Sequence, residues 1–112
     1  MEYRYLGNSG LSVSLLSYGN WLNSNSDEDY QMTRDSIKSC YDKGVNFFDT
    51  AEIYGFGQAE QAMGKALKEL KLEREKLVLS TKVFRSGQGI NDTFLSRKHI
   101  IEGINNSLKR LQ

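Results

Sequence analysis

Three side chains in this sequence could move a proton together: Asp49, Tyr54 and Lys82. Asp49 and Tyr54 belong to the stretch at residues 44–64, GVNFFDTAEIYGFGQAEQAMG. Its apolar run, residues 45–48, is broken only by Asn46 and ends abruptly in Asp49, Thr50, Ala51, Glu52, Ile53 and Tyr54. A second apolar run, residues 77–79, ends in Ser80, Thr81 and Lys82. A short hydrophobic run ending in polar groups reads as a buried strand that delivers side chains to an opening. In parallel α/β folds that opening lies at the carboxyl ends of the strands. An acid, a phenol and an amine therefore emerge from the ends of two successive strands.

That set suits proton transfer to a carbonyl oxygen. A tyrosine is a weak acid, with an unperturbed pKa of about 10. A nearby ammonium favours the charged form of a phenol, and a carboxylate keeps an ammonium charged. The expected chain runs from Asp49, holding Lys82, to Lys82, tuning Tyr54, to Tyr54, giving a proton to the substrate. General acid help of this kind is worth about 10²- to 10⁴-fold in rate. No side chain donates a hydride, so a nicotinamide cofactor is the expected source. A bland reading stands beside this one. Asp and Lys at strand ends often form only structural ion pairs, and a loop tyrosine is usually packing.

The elements around these residues follow from periodicity. Residues 3–6 and 11–15 flank an Asn/Gly/Ser turn and predict a small hairpin. Residues 15–19 read as the first buried strand, with Asn20 and Trp21 directly after it. Ser26 is placed to cap a helix whose first turn is acidic. Tyr30, Thr33, Ile37, Cys40 and Tyr41 recur on one face of that helix, and Gly44 is its stop signal. The strand at residues 45–49 comes next. A second helix follows with the stripe Ala59, Met63, Ala66, Leu67 and Leu70, then a third strand at residues 77–81. A polar loop at residues 84–95, expected over the pocket, leads to a helix capped by Ser96. Ile100, Ile104, Leu108 and Leu111 lie on one face of it. Strand and helix thus alternate with the period of a βαβ unit, which implies a parallel sheet with right-handed crossovers. Parallel strands place Asn20, Trp21, Asp49, Tyr54 and Lys82 at one end of the sheet.

Composition narrows the classes. A net charge of +1 argues against a nucleic-acid binder. No apolar stretch approaches the roughly 20 residues that span a bilayer, and the start MEYRYLG lacks a signal-peptide core. The single Cys40 cannot form an internal disulfide and has no metal spacing around it. No metal site, no membrane insertion and a cytoplasmic location are the expectations. His99 is expected at the surface of the third helix, without a chemical role. The glycines at residues 87–89 make only an incomplete dinucleotide fingerprint.

At residues 44–64 the sequence closely resembles the first signature of the aldo-keto reductases, through Gly44, Asp49, Ala51, Tyr54, Glu60 and Gly64. More narrowly it is similar to the branch containing the β-subunits of voltage-gated potassium channels and their microbial relatives. The stretches YLGNSGL (residues 5–11), NFFDTAEIYG, STKVF and LSRKHIIEGINNSLKRLQ carry that likeness. The similarity runs over residues 3–112. It implies NADPH-dependent reduction of small aldehydes or ketones on a (β/α)₈ TIM barrel. The fold class it implies is the N-terminal portion of that α/β barrel, a leading hairpin plus three βα units, with residues 1–112 as one domain. The family's catalytic aspartate, tyrosine and lysine fall on Asp49, Tyr54 and Lys82. Asn20, Trp21 and Asp49 fall where members meet the nicotinamide end of the cofactor. A fourth catalytic position, histidine or asparagine, is expected beyond Gln112, so the 112-residue chain is expected to be inactive by itself. The alternatives are a regulatory subunit or truncated pseudoenzyme that binds a channel-type partner or a second copy, and a self-contained α/β binding domain. The last would need helices on both faces of the sheet.

Overall fold

The computed structural model describes residues 1–21 and 26–112. Two short strands, β1 (Tyr3–Tyr5) and β2 (Ser12–Ser14), pair antiparallel as the expected hairpin. Three further strands form a parallel sheet in the order β3 (Tyr18–Gly19), β4 (Phe47–Asp49), β5 (Val78–Ser80). Helices α1 (Asp27–Asp42), α2 (Gln58–Glu69) and α3 (Arg97–Leu111) alternate with them.

β3 and β4 are shorter than the apolar runs that signalled them, because the hairpin takes up the residues that lead into them. The Leu15 N–H donates to Glu2 O, which extends the hairpin and keeps Leu15 out of β3. Asn46, the polar break in the second run, accepts from Ser14 N–H at 2.7 Å and donates to Ser12 O at 3.1 Å. This one amide ties the hairpin to the entry of β4, at the end of the sheet opposite the polar tips.

Phe48 is fully buried at the centre of the core, with Ile37 of α1, Val45, Met63, Ala66 and Leu67 of α2, and Leu77. In a strand, side chains alternate between faces. Phe48 therefore points to the helices, and Asp49 to the other face. Ser26 caps α1 as expected, its hydroxyl accepting from Asp29 N–H at 3.1 Å. Gly44, at φ +87°, takes the left-handed turn that ends this helix. Between α1 and α2 the Tyr30 hydroxyl donates to Glu69 at 2.6 Å. Burial, reinforced by Glu69, pushes the Tyr30 phenol up to about 12.

Helix α3 packs on the chain through a polar, small-residue side. Its buried residues are His99, Gly103 and Ser107. Ile100, Ile104 and Leu108 of its apolar face are 36%, 46% and 64% exposed, and Leu111 is half-buried. The reason lies in what α3 meets. Its contact side faces the carboxylates of Glu52 and Glu60, which demand polar and small partners. The expectation that His99 is a surface residue is overturned for the same reason, since only 3% of it is exposed.

Candidate active site

The register aligns Gly19, Asp49 and Ser80 across the sheet, so the residues that follow them share one rim. Asp49 ends β4 with its carboxylate on the face away from the helices. Ser80 donates its hydroxyl to Asp49 Oδ1 from the neighbouring strand. Lys82, two residues beyond β5, donates to Asp49 Oδ2 at 2.5 Å and to Thr50 O at 2.7 Å. Two acceptors therefore fix the Lys82 ammonium. The pair is open to water, with 52% of the lysine and 34% of the aspartate side chain exposed. Such pairs contribute only about 0–1 kcal/mol to stability. The pair matters here for where it holds the ammonium.

Tyr54 opens a short 3₁₀ turn, Tyr54–Gly57, which bends sharply through left-handed Gly55 and Phe56. The Lys82 Nζ lies 5.2 Å from the centre of the Tyr54 ring. Trp21, 66% exposed, packs its ring 6.5 Å from that of Tyr54. The structure thus brings Asp49, Tyr54, Lys82 and Trp21 into one opening. Asn20 adjoins it but is turned inward. Only 2% exposed, it donates its amide to Ala59 O at 2.7 Å, and its Oδ1 is buried without a partner.

Two buried carboxylates missed by the sequence reading support the rim. Glu52 accepts from Phe84 N–H at 2.6 Å and lies 2.8 Å from His99 Nε2. Glu60 accepts from the Thr81 hydroxyl and from Arg110 Nε, both at 2.6 Å. One signal for them was available: His99, Gly103 and Ser107 recur at helical spacing as a small, polar stripe. The loop expected over the pocket folds on itself, with Arg85 bridging Thr93 and Phe84 packed edge-on against Phe94 at 5.9 Å. Among the described residues no group of three or more His, Cys, Asp or Glu could hold a metal. Nor is any described helix long and apolar enough to cross a membrane.

The chain is similar to known proteins over nearly its whole length. A rice protein (Oryza sativa subsp. japonica), provisionally named voltage-gated potassium channel subunit beta, is 51% identical over 111 residues, covering 99% of this chain and 34% of its own length. An Arabidopsis thaliana protein of the same name is 50% identical over the same share. The chain spans about a third of the length of the curated relatives it matches. Among solved structures, an aldo-keto reductase from Bacillus halodurans in its holo form superposes with a TM-score of 0.82 at 34% identity. That match covers 100% of this chain and 37% of the other. The hairpin and three βα units are accordingly part of a (β/α)₈ barrel. Residues 15–112 match the Aldo/keto reductase family, and the chain belongs to that family of oxidoreductases.

Proposed function

We propose that the full-length protein reduces small aldehydes or ketones with NADPH, and that Tyr54 is the proton donor. The observation that carries this reading is the double anchoring of Lys82 on Asp49 and Thr50, beside the Tyr54 ring. When bound, the reduced nicotinamide supplies the hydride that the carbonyl carbon accepts. Tyr54 gives its phenolic proton to the carbonyl oxygen. The phenolate left behind faces an ammonium that cannot swing away, because two oxygens hold it. Trp21 supplies a flat wall beside Tyr54 for a planar substrate.

The residues present fit a nicotinamide nucleotide at its ring end. Trp21 is an exposed ring at the rim, and Asp49 leaves part of its carboxylate open there. Trp21 and Asp49 would hold that end, while Asn20, expected there too, is turned inward onto Ala59 O and supports the chain behind Trp21. The family supports a nicotinamide nucleotide in general. NADPH and the roles given to Asp49, Tyr54, Lys82, Asn20 and Trp21 are our reading.

The test is Tyr54→Phe in the full-length protein, assayed by NADPH consumption with 4-nitrobenzaldehyde. Turnover should fall by at least about 10²-fold while NADPH still quenches protein fluorescence at the parent's concentration. Turnover surviving that change would remove Tyr54 as the acid. A second reading rests on the names of the relatives: the protein docks on a channel-type membrane partner as a regulatory subunit. Co-purification of the full-length protein with such a partner, undiminished in Tyr54→Phe, would support that reading.

A further inference from the structure

Glu52 lies between the two chemical residues of its loop, three after Asp49 and two before Tyr54. No part of the proton-donor scheme uses it. Its side chain is nonetheless completely buried, and so is its partner His99, at 4% side-chain exposure. The Glu52 N–H donates to Lys82 O at 3.2 Å. Its Oε1 accepts from the N–H of Phe84, two residues beyond Lys82, at 2.6 Å. Glu52 therefore holds this loop at the Lys82 carbonyl through its main chain and two residues further on through its side chain. The same oxygen meets His99 Nε2 at 2.8 Å. His99 sits in the first turn of α3, where its own N–H donates to the capping hydroxyl of Ser96 at 3.0 Å. The helix backs directly onto this pair. A Cβ on Gly103 would stand 2.9 Å from Glu52 Oε2 and 2.8 Å from a methyl of Val83.

We propose that Glu52, held by His99, is a positioning residue that fixes Lys82 relative to Tyr54. The proposal rests on the proton-donor reading above and adds to it a device outside the opening. Packing alone does not call for a carboxylate here. Replacing both partners of a buried hydrogen bond by apolar groups of the same shape can be nearly neutral or stabilising. Glu52 Oε2 even lacks a hydrogen-bond partner, and a bare buried acceptor is a cost. An apolar side chain cannot accept the Phe84 N–H and the His99 ring through one oxygen. That shared oxygen joins three segments: the loop carrying Tyr54, the loop carrying Lys82, and the start of α3. Lys82 is then fixed twice, its loop by the Glu52 side chain at the Phe84 N–H and its ammonium by Asp49 and Thr50.

The full-length protein tests this through Glu52→Ala, Glu52→Gln and His99→Gln, with NADPH and 4-nitrobenzaldehyde. Misplacing a reacting group by about 1 Å can cost about 10²-fold in rate. Glu52→Ala should therefore lower kcat about 10- to 100-fold, per folded molecule, with the KM for NADPH close to the parent's. Glu52→Gln still accepts the Phe84 N–H and should recover most of kcat. His99→Gln, whose amide can donate where Nε2 does, should fall between. Hydrogen exchange at the Phe84 amide should quicken in Glu52→Ala and not in Glu52→Gln. An unchanged kcat in folded Glu52→Ala overturns the proposal, as does a loss that only tracks the folded fraction. If Glu52→Ala does not fold, an equal and severe loss of kcat in Glu52→Gln and His99→Gln overturns it, and recovery in Glu52→Gln supports it. Should Tyr54→Phe keep full turnover, the proton-donor reading fails by itself. Unaltered Phe84 exchange in Glu52→Ala would sink the clamp independently of any turnover.

Discussion

Lys82 shows how a side chain half open to water can still be fixed in place. Its ammonium has a carboxylate at 2.5 Å and a main-chain carbonyl at 2.7 Å. Removing the charge should be worse than moving it. Lys82→Met in the full-length protein is expected to lower kcat by about 10²- to 10⁴-fold and to leave the thermal midpoint nearly unchanged, because an exposed pair contributes about 0–1 kcal/mol. Parallel turnover and melting measurements check both halves. Tyr30 belongs to a different problem, the joint between α1 and α2. Its phenol is raised from 10.0 to about 12 by burial, then by Glu69. Between those values the folded chain keeps a proton that the unfolded chain has released. Stability is therefore fully present below pH 10 and is lost as pH rises towards about 12. Tyr30→Phe should flatten that alkaline loss, read from urea midpoints on either side of the window.

Among the elements, α3 is the one whose sequence and packing diverge most. A stripe of Ile100, Ile104 and Leu108 at helical spacing ordinarily means an inner face. Here Glu52 and Glu60 lie where α3 must pack, and each needs a donor more than α3 needs an apolar contact. Glu60 is fully buried, and Arg110 is its charged partner. Arg110→Ala would leave that carboxylate with the Thr81 hydroxyl as its remaining side-chain partner. Breaking a buried pair from one side costs about 3–5 kcal/mol, so the variant should melt markedly lower in a thermal scan. Arg110→Lys should recover only part of the loss, since the lysine ammonium cannot reproduce the Nε geometry.

For the molecule as a whole, the sheet order leaves β3 and β5 each with one unpaired edge. Beside β5, the outward Ile104 and Leu108 with Leu79 and Leu111 line an open apolar cleft of about 150 Å³. Edges and apolar clefts of this kind invite association. The 112-residue chain by itself should therefore run above its 12.8 kDa mass in size-exclusion light scattering. Ile104→Lys should shift it towards the monomer. A stable monomer of the parent chain would count against this. The isolated chain should also fail to oxidise NADPH with an aldehyde, because it spans about a third of its relatives' length. Robust turnover by the chain alone would overturn that expectation.

Local pattern was enough for the alternation of strand and helix, the caps at Ser26 and Ser96, and the placing of Asp49, Tyr54 and Lys82 at one end of the sheet. Each of these depends on periodicity or on a turn residue, which are properties of neighbours in sequence. Only the tertiary structure decided which way α3 faces, that His99 is buried, and that Asn20 turns away from the opening. It also revealed Glu52 and Glu60, whose partners lie 32 and 50 residues away. A buried carboxylate takes its meaning from donors brought to it by folding, and no window along the chain contains them. Side-chain hydrophobicity predicts a buried face only when the surface opposite is apolar as well. Around α3 that surface is acidic, and the helix turned its polar stripe to meet it.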